Sequence, residues 1–139
     1  MKAMHTLIRL YRRQLDDKRR NLNDLERMKA EFEGQVRRLD EEIAAEQKCA
    51  DSEETRFAYG TYAEAAARRR ITLAKSIGDL DSQIKAAREE VAVAFQEVKK
   101  FEILHDQRQR RTRQQAERRE QIAQDETSIQ TYRRLQGGD

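Results

Sequence analysis

Six arginines stand within twelve residues toward the end of this chain: Arg108, Arg110, Arg111, Arg113, Arg118 and Arg119, with Glu117 the one acidic residue among them. A guanidinium is a planar fork of donors that stays charged at physiological pH and meets carboxylates or phosphates two bonds at a time. The block therefore offers either a docking surface for acidic groups or, more plainly, a well-solvated helix extension. Nucleic acid fits less well: no aromatic residue is interleaved for base stacking, and the whole chain carries a formal charge of only +3. No nucleic-acid partner is expected.

The second concentration is aromatic. Phe57, Tyr59 and Tyr62 lie within six residues of one another around Gly60. They either staple a turn or form an exposed contact for a partner, where aromatic side chains supply much of the binding energy. Beyond these two features the chemistry is sparse. No glycine-rich phosphate loop and no serine or cysteine in a nucleophile setting occurs, and the many carboxylates alternate with Arg and Lys as on solvated helix faces. The chain reads as non-enzymatic, with no catalytic residue and no cofactor. His5 and His105 fall at the same end of the folded chain, but no close third ligand is evident, so no metal site is assigned. The run Arg68, Arg69, Arg70 fans over roughly 200° of a helix and reads as solvated.

These groups must be carried by long helices. The chain has 139 residues, 40% charged and 37% hydrophobic, and no proline where average usage predicts about seven. Too few large apolar residues are present for a thick globular core. No stretch approaches the ~20 apolar residues of a membrane span, and the single cysteine, Cys49, allows no internal disulfide. A cytoplasmic protein with no direct membrane insertion is expected.

The apolar residues repeat in sevens. One seam position reads Met1, Ile8, Leu15, Leu22, Lys29, Val36, Ile43, Ala50, and its partner reads Met4, Tyr11, Lys18, Leu25, Phe32, Leu39, Glu46, Glu53. Twelve of these sixteen are apolar, enough for a left-handed coiled-coil seam that fades near residue 50. A second register runs through Arg70, Ile77, Ile84, Val91, Val98, His105 and through Leu73, Leu80, Ala87, Ala94, Phe101, Arg108, nine of twelve apolar. Further on, Thr112, Gln115, Arg119, Ile122, Glu126 and Ile129 keep only two apolar positions. The lysines in the first seam, Lys18 and Lys29, are expected to weaken it locally.

Between the seams, Thr61 and Glu64 have the spacing of a capping box, with Gly60 before them to supply a turn. These signals predict an all-α chain: a long antiparallel two-helix coiled-coil hairpin, with a longer second helix overhanging at the open end. The expected single coiled-coil domain, 1–139, has helix one over about 3–55, a tip over about 56–60 and helix two over about 61–135. Folding about residue 58 sets Leu15 near Phe101 and Leu39 near Ile77, and leaves everything past about residue 112 without a partner in the chain.

Three stretches resemble one family. They are T-L-I-R-L-Y-R-R-Q-L-D-D-K-R-R from Thr6 to Arg20, F-A-Y-G-T-Y-A from Phe57 followed by A-A-A-R-R-R from Ala65, and F-E-I-L-H-D-Q-R-Q-R-R continuing to E-R-R-E-Q-I-A-Q-D-E from Phe101 to Glu126. The sequence is similar to the FliJ family of flagellar export proteins, whose injectisome counterpart is the YscO family, over nearly its whole length; only Thr127 to Asp139 departs from it. The resemblance implies a coiled-coil hairpin like the central stalk of rotary ATPases. Its open end would enter the ring of the flagellar export ATPase hexamer and promote ring assembly and activity. Its tip would contact the export-gate membrane protein, and export chaperones would be further partners. The protein would be a monomer when alone and peripheral to the membrane-embedded apparatus. On this footing the six arginines are candidate ATPase contacts, and Phe57, Tyr59 and Tyr62 candidate gate contacts. An injectisome stalk of the same build and a purely structural coiled-coil spacer are the alternatives.

Overall fold

The computed structural model describes residues 2–137. It contains two α-helices, α1 over Lys2–Lys48 and α2 over Glu53–Gln136. Their 47 and 84 residues correspond to about 70 Å and 125 Å at 1.5 Å rise per residue. The two helices lie antiparallel and pack only on each other. This is the expected all-α hairpin with an overhanging second helix.

The turn is tighter and earlier than the sequence pattern suggests. Helix α1 closes with the Cys49 and Ala50 amides donating to the carbonyls of Glu46 and Gln47, at 3.1 and 3.4 Å. These three-residue spacings tighten a last turn and satisfy carbonyls that otherwise lack partners. Ser52 then caps α2 from an extended backbone conformation. The Thr55 amide donates to Ser52 Oγ at 3.2 Å, and the Ser52 amide donates to Thr55 Oγ1 at 2.8 Å. That is a reciprocal capping box with threonine in the place usually held by Glu or Gln. Glu53 and Glu54 add negative charge to the first turn, where the helix dipole favours it.

The expected tip at 56–60 and helix start at 61 are therefore corrected. Thr61 lies inside α2 and its hydroxyl donates back to the Phe57 carbonyl at 3.4 Å. Gly60 is helical without a positive φ, and a Cβ there would meet open space. A glycine in such a position is a small loss of helix propensity, not a turn device.

The buried residues are seam residues. Ile8, Leu15 and Leu39 come from α1, and Ala66, Leu73, Leu80, Ile84, Ala87 and Val98 from α2. All but Ala66 stand at counted heptad positions. Ala66 sits one heptad upstream of Leu73, so the second register reaches further back than expected, in step with the earlier helix start. Among the described residues no large side chain is fully enclosed, because a two-helix seam always has one open flank. Leu39, Ala66 and Leu73 form a cluster with Phe32, Val36, Ile43 and Tyr62 around it.

The axial register is also displaced. Asp40–Arg70, Lys29–Asp81 and His5–His105 are each centred on position 55 rather than 58. Leu39 accordingly packs against Ala66 and Leu73 instead of Ile77. Phe101 stacks on Tyr11 (centroids 4.7 Å apart) instead of meeting Leu15. Met1, counted at the head of the first seam, lies outside the described residues.

The lysines that interrupt the first seam do not leave gaps. Lys18 Nζ reaches Glu90 Oε2 at 3.1 Å. Lys29 Nζ reaches Asp81 Oδ1 at 2.6 Å, and the hydrogen bond it donates to that carboxylate holds its ammonium above the usual lysine range. Arg12–Glu102, Glu26–Arg88 and Asp40–Arg70 complete a ladder of pairs between the helices. Each such exposed pair is worth only about 0–1 kcal/mol. Their combined effect is on orientation and register, since a slide by one heptad separates every one of them.

Two outcomes follow from this packing. Ser52→Ala should cost about 1 kcal/mol, while Gly60→Ala should stabilise by about 0.5–1 kcal/mol, read from urea melts followed by circular dichroism. A turn at Gly60 would reverse the second sign. The Arg12 guanidinium, with help from Lys99, holds the Glu102 carboxyl below its ordinary value near 4.5. A lowered folded value stabilises above the unfolded value and is lost as pH falls through the folded one. Protection of the amides near Arg12 and Glu102, taken against the intrinsic exchange rate at each pH, should therefore fall below about pH 4.5, and Glu102→Gln should flatten that acid limb.

Candidate functional site

The two ends of the rod differ most from the paired seam between them. At the open end α1 stops and α2 runs on; every described residue from Asp106 to Gly137 is exposed. The last contacts before the overhang are the Tyr11–Phe101 stack, the Arg12–Glu102 pair (2.9 Å) and the His5–His105 ring contact. They pin the root of the single helix.

The six arginines sit just beyond this root, all exposed. At 100° per residue Arg108 and Arg119 continue the seam side, Arg111 and Arg118 lie on one flank, and Arg110 and Arg113 point away. Only Arg110 is paired among them, to Asp106 one turn back at 3.3 Å. Arg108 and Arg113 border one shallow notch with His105 and Thr112, and Arg111 and Arg118 border another with Gln114, Gln115 and Gln121. Arginine therefore covers the seam side, the back and one flank of the helix, and leaves Gln109, Thr112 and Ala116 on the other flank. A surface that surrounds the helix can engage all of it, whereas a flat partner can engage only part. The first twenty residues beside the root add seven basic side chains against two acidic ones. The seam positions of the overhang stay unpartnered, and Ile122 and Ile129 are 54% and 51% exposed there.

The turn end has the opposite charge. Residues 40–56 hold seven acidic side chains, Asp40, Glu41, Glu42, Glu46, Asp51, Glu53 and Glu54, against Lys48 and Arg56. The aromatic trio read from the sequence is divided here. Tyr62 packs on the Leu39–Ala66–Leu73 cluster, and its hydroxyl donates to Glu42 Oε2 at 3.5 Å. Burial, with the neighbouring carboxylates of Glu42 and Glu46, raises its phenol above the usual value. Tyr59 is half-buried, and Phe57 alone stands out, 80% exposed.

Ile71, 70% exposed, was not singled out by the sequence reading. It is two heptads after Phe57, so the two share one outward face of α2, with exposed Gly60, Ala67 and Ala74 beside them. The available signal was an apolar residue off the seam. Of the triple arginine run, Arg70 pairs with Asp40 across the hairpin at 2.9 Å, and Arg68 and Arg69 are solvated as expected. Cys49 is free and exposed in the turn.

Among the described residues no helix is long and apolar enough to cross a membrane. No curated protein and no solved structure matches the chain. Residues 1–137 match the family described as Flagellar FliJ protein, so that the match takes in both helices, the turn and the overhang together. With a hairpin of the expected build and a family match over nearly its full length, this chain belongs to the flagellar FliJ family.

Proposed function

We propose that this chain is a coiled-coil stalk that couples the flagellar export ATPase to the export gate. The observation that carries this reading is the overhang: a single exposed helix, pinned at its root and bearing six arginines, with no partner in its own chain. A helix with arginine on its seam side, its back and one flank suits the interior of a hexameric ring whose inward loops are acidic. There Arg108, Arg110, Arg111, Arg113, Arg118 and Arg119 would each face a carboxylate, in charge-assisted bonds of the stronger kind. Binding of this sort favours assembled hexamer over free subunits, because only the ring surrounds the helix.

The other end supports a gate-side contact. Phe57 and Ile71 give it an exposed apolar face, and the acidic turn gives it a charge opposite to that of the overhang. Tyr62 serves this contact indirectly, by fixing the α2 backbone against α1, and half-buried Tyr59 lies one turn before it. Export chaperones are further partners on this reading. Both counted seams are used within one chain, which favours an elongated monomer over a dimeric spacer; sedimentation should give a mass near the 16.4 kDa of one chain. The protein acts in the cytoplasm at the base of the membrane-embedded apparatus, without catalysis of its own.

The central test is ATP hydrolysis and hexamer formation by purified flagellar export ATPase with and without this protein. Stimulation of both is expected. Replacing the six arginines with alanine should weaken ATPase binding at least about tenfold, because several charge-assisted contacts are lost together, and should leave helicity unchanged. Undiminished binding would remove the arginine surface from the mechanism. A second test separates the aromatic residues. Phe57→Ala with Ile71→Ala should weaken binding to the purified gate protein by about tenfold or more without lowering the melting temperature. Tyr62→Ala should instead lower the melting temperature, because it opens the Leu39 cluster.

A further inference from the structure

The contact between His5 and His105 has so far served only to hold the root of the overhang. The two rings face each other across the hairpin mouth with centroids 4.5 Å apart and planes at 68°. They are the only histidines in the chain, one from each helix. Glu102 lies one turn before His105 on α2, and all three residues border the same notch, together with Ile8, Arg9 and Arg12. Two imidazoles that share a tetrahedral zinc, each bound through nitrogen at about 2.0 Å, hold their centroids roughly 5 Å apart. The observed separation is close to that. A glutamate three residues before a histidine is also a spacing by which one helix supplies two ligands to one ion.

We propose that His5 and His105 form a clip for a borderline transition-metal dication of the zinc, nickel or cobalt class, with Glu102 supplying the third ligand. Among the described residues no three such side chains already converge on one point. Glu102 has to turn to complete the set. Its Oε1 accepts from Arg12 Nη2 and Nε at 2.9 and 3.2 Å, and its Oε2 accepts from Lys99 Nζ at 3.3 Å. These are exposed pairs of low individual worth, so exchanging one for a metal bond is cheap. Calcium and magnesium do not fit, since they take oxygen ligands. Arg9 beside the notch opposes a dication, and an open three-ligand site binds less tightly than a closed four-ligand one. Its effect would be mechanical: it would tie the start of α1 to the root of the overhang, where the hairpin otherwise ends on a few exposed contacts.

The test is titration of the full chain, metal-free at the start, with zinc chloride by calorimetry, and with cobalt(II) by visible absorption. The expected result is saturable binding of one ion per chain and a melting temperature raised by about 3–8 °C at saturation. His5→Asn and His105→Asn should each weaken binding at least about tenfold and abolish the rise, and Glu102→Gln should weaken it about threefold or more. All three positions lie at the exposed end of the hairpin, and circular dichroism of the metal-free variants should match the parent. Absence of saturable binding up to about 1 mM zinc would overturn the proposal. So would binding that persists undiminished in both histidine variants, as it would through Cys49 or scattered carboxylates. An unaltered Glu102→Gln titration would overturn the assignment of the third ligand.

Discussion

Everything in this molecule depends on one narrow strip of apolar contact between two antiparallel helices. Neither helix can bury its stripe alone, and a helix of this charge has little else to hold it. The strip runs from Ile8 opposite the α2 root to the Leu39–Ala66–Leu73 cluster near the turn. Where it stops, tertiary structure stops. The overhang exists because α1 ends and α2 does not, and its exposure follows from that difference in length rather than from any local feature of residues 106–137.

A two-helix seam is permissive along its axis. The heptad selects which side of each helix faces the other, but a slide by seven residues preserves that choice. The cross-helix pairs remove the ambiguity. Lys18 and Lys29, which look like defects in an apolar seam, each find a carboxylate on the opposite helix. Such residues lower the apolar content of the seam and in exchange select one register. The same ladder sets the antiparallel sense, since each rung joins a basic residue of one helix to an acidic residue of the other.

The hairpin also separates charge over its length. The open end and overhang are basic and the turn acidic, and the arginine block begins about 78 Å beyond Arg56 along α2. At that distance, many Debye lengths, the ends are electrostatically independent. Each can meet its own partner without weakening the other. This is the property a connecting stalk needs, and it requires no conformational signal along the rod: rigidity of the seam and independence of the ends suffice.

Much of this was legible in the residues alone. The absence of proline, the two heptad registers and the collapse of the second one after Phe101 determine an all-helical hairpin with a projecting arm. The arginine block was visible as a linear cluster, and its exposure follows from lying beyond the seam. The turn was not legible. Ser52–Thr55 and Thr61–Glu64 are both acceptable caps, and a cap differs from its rival by about 1 kcal/mol. The seam decided between them, because starting α2 at Glu53 carries the register of Ala66 and Leu73 back to half-buried Tyr59. That choice moved the fold axis by three residues, turned Tyr62 inward, left Phe57 and Ile71 outside, and brought His5 against His105. Local sequence determines which residues want to face a partner. Which residue of the partner they meet is a property of the whole axial alignment, and only the packed pair of helices sets it.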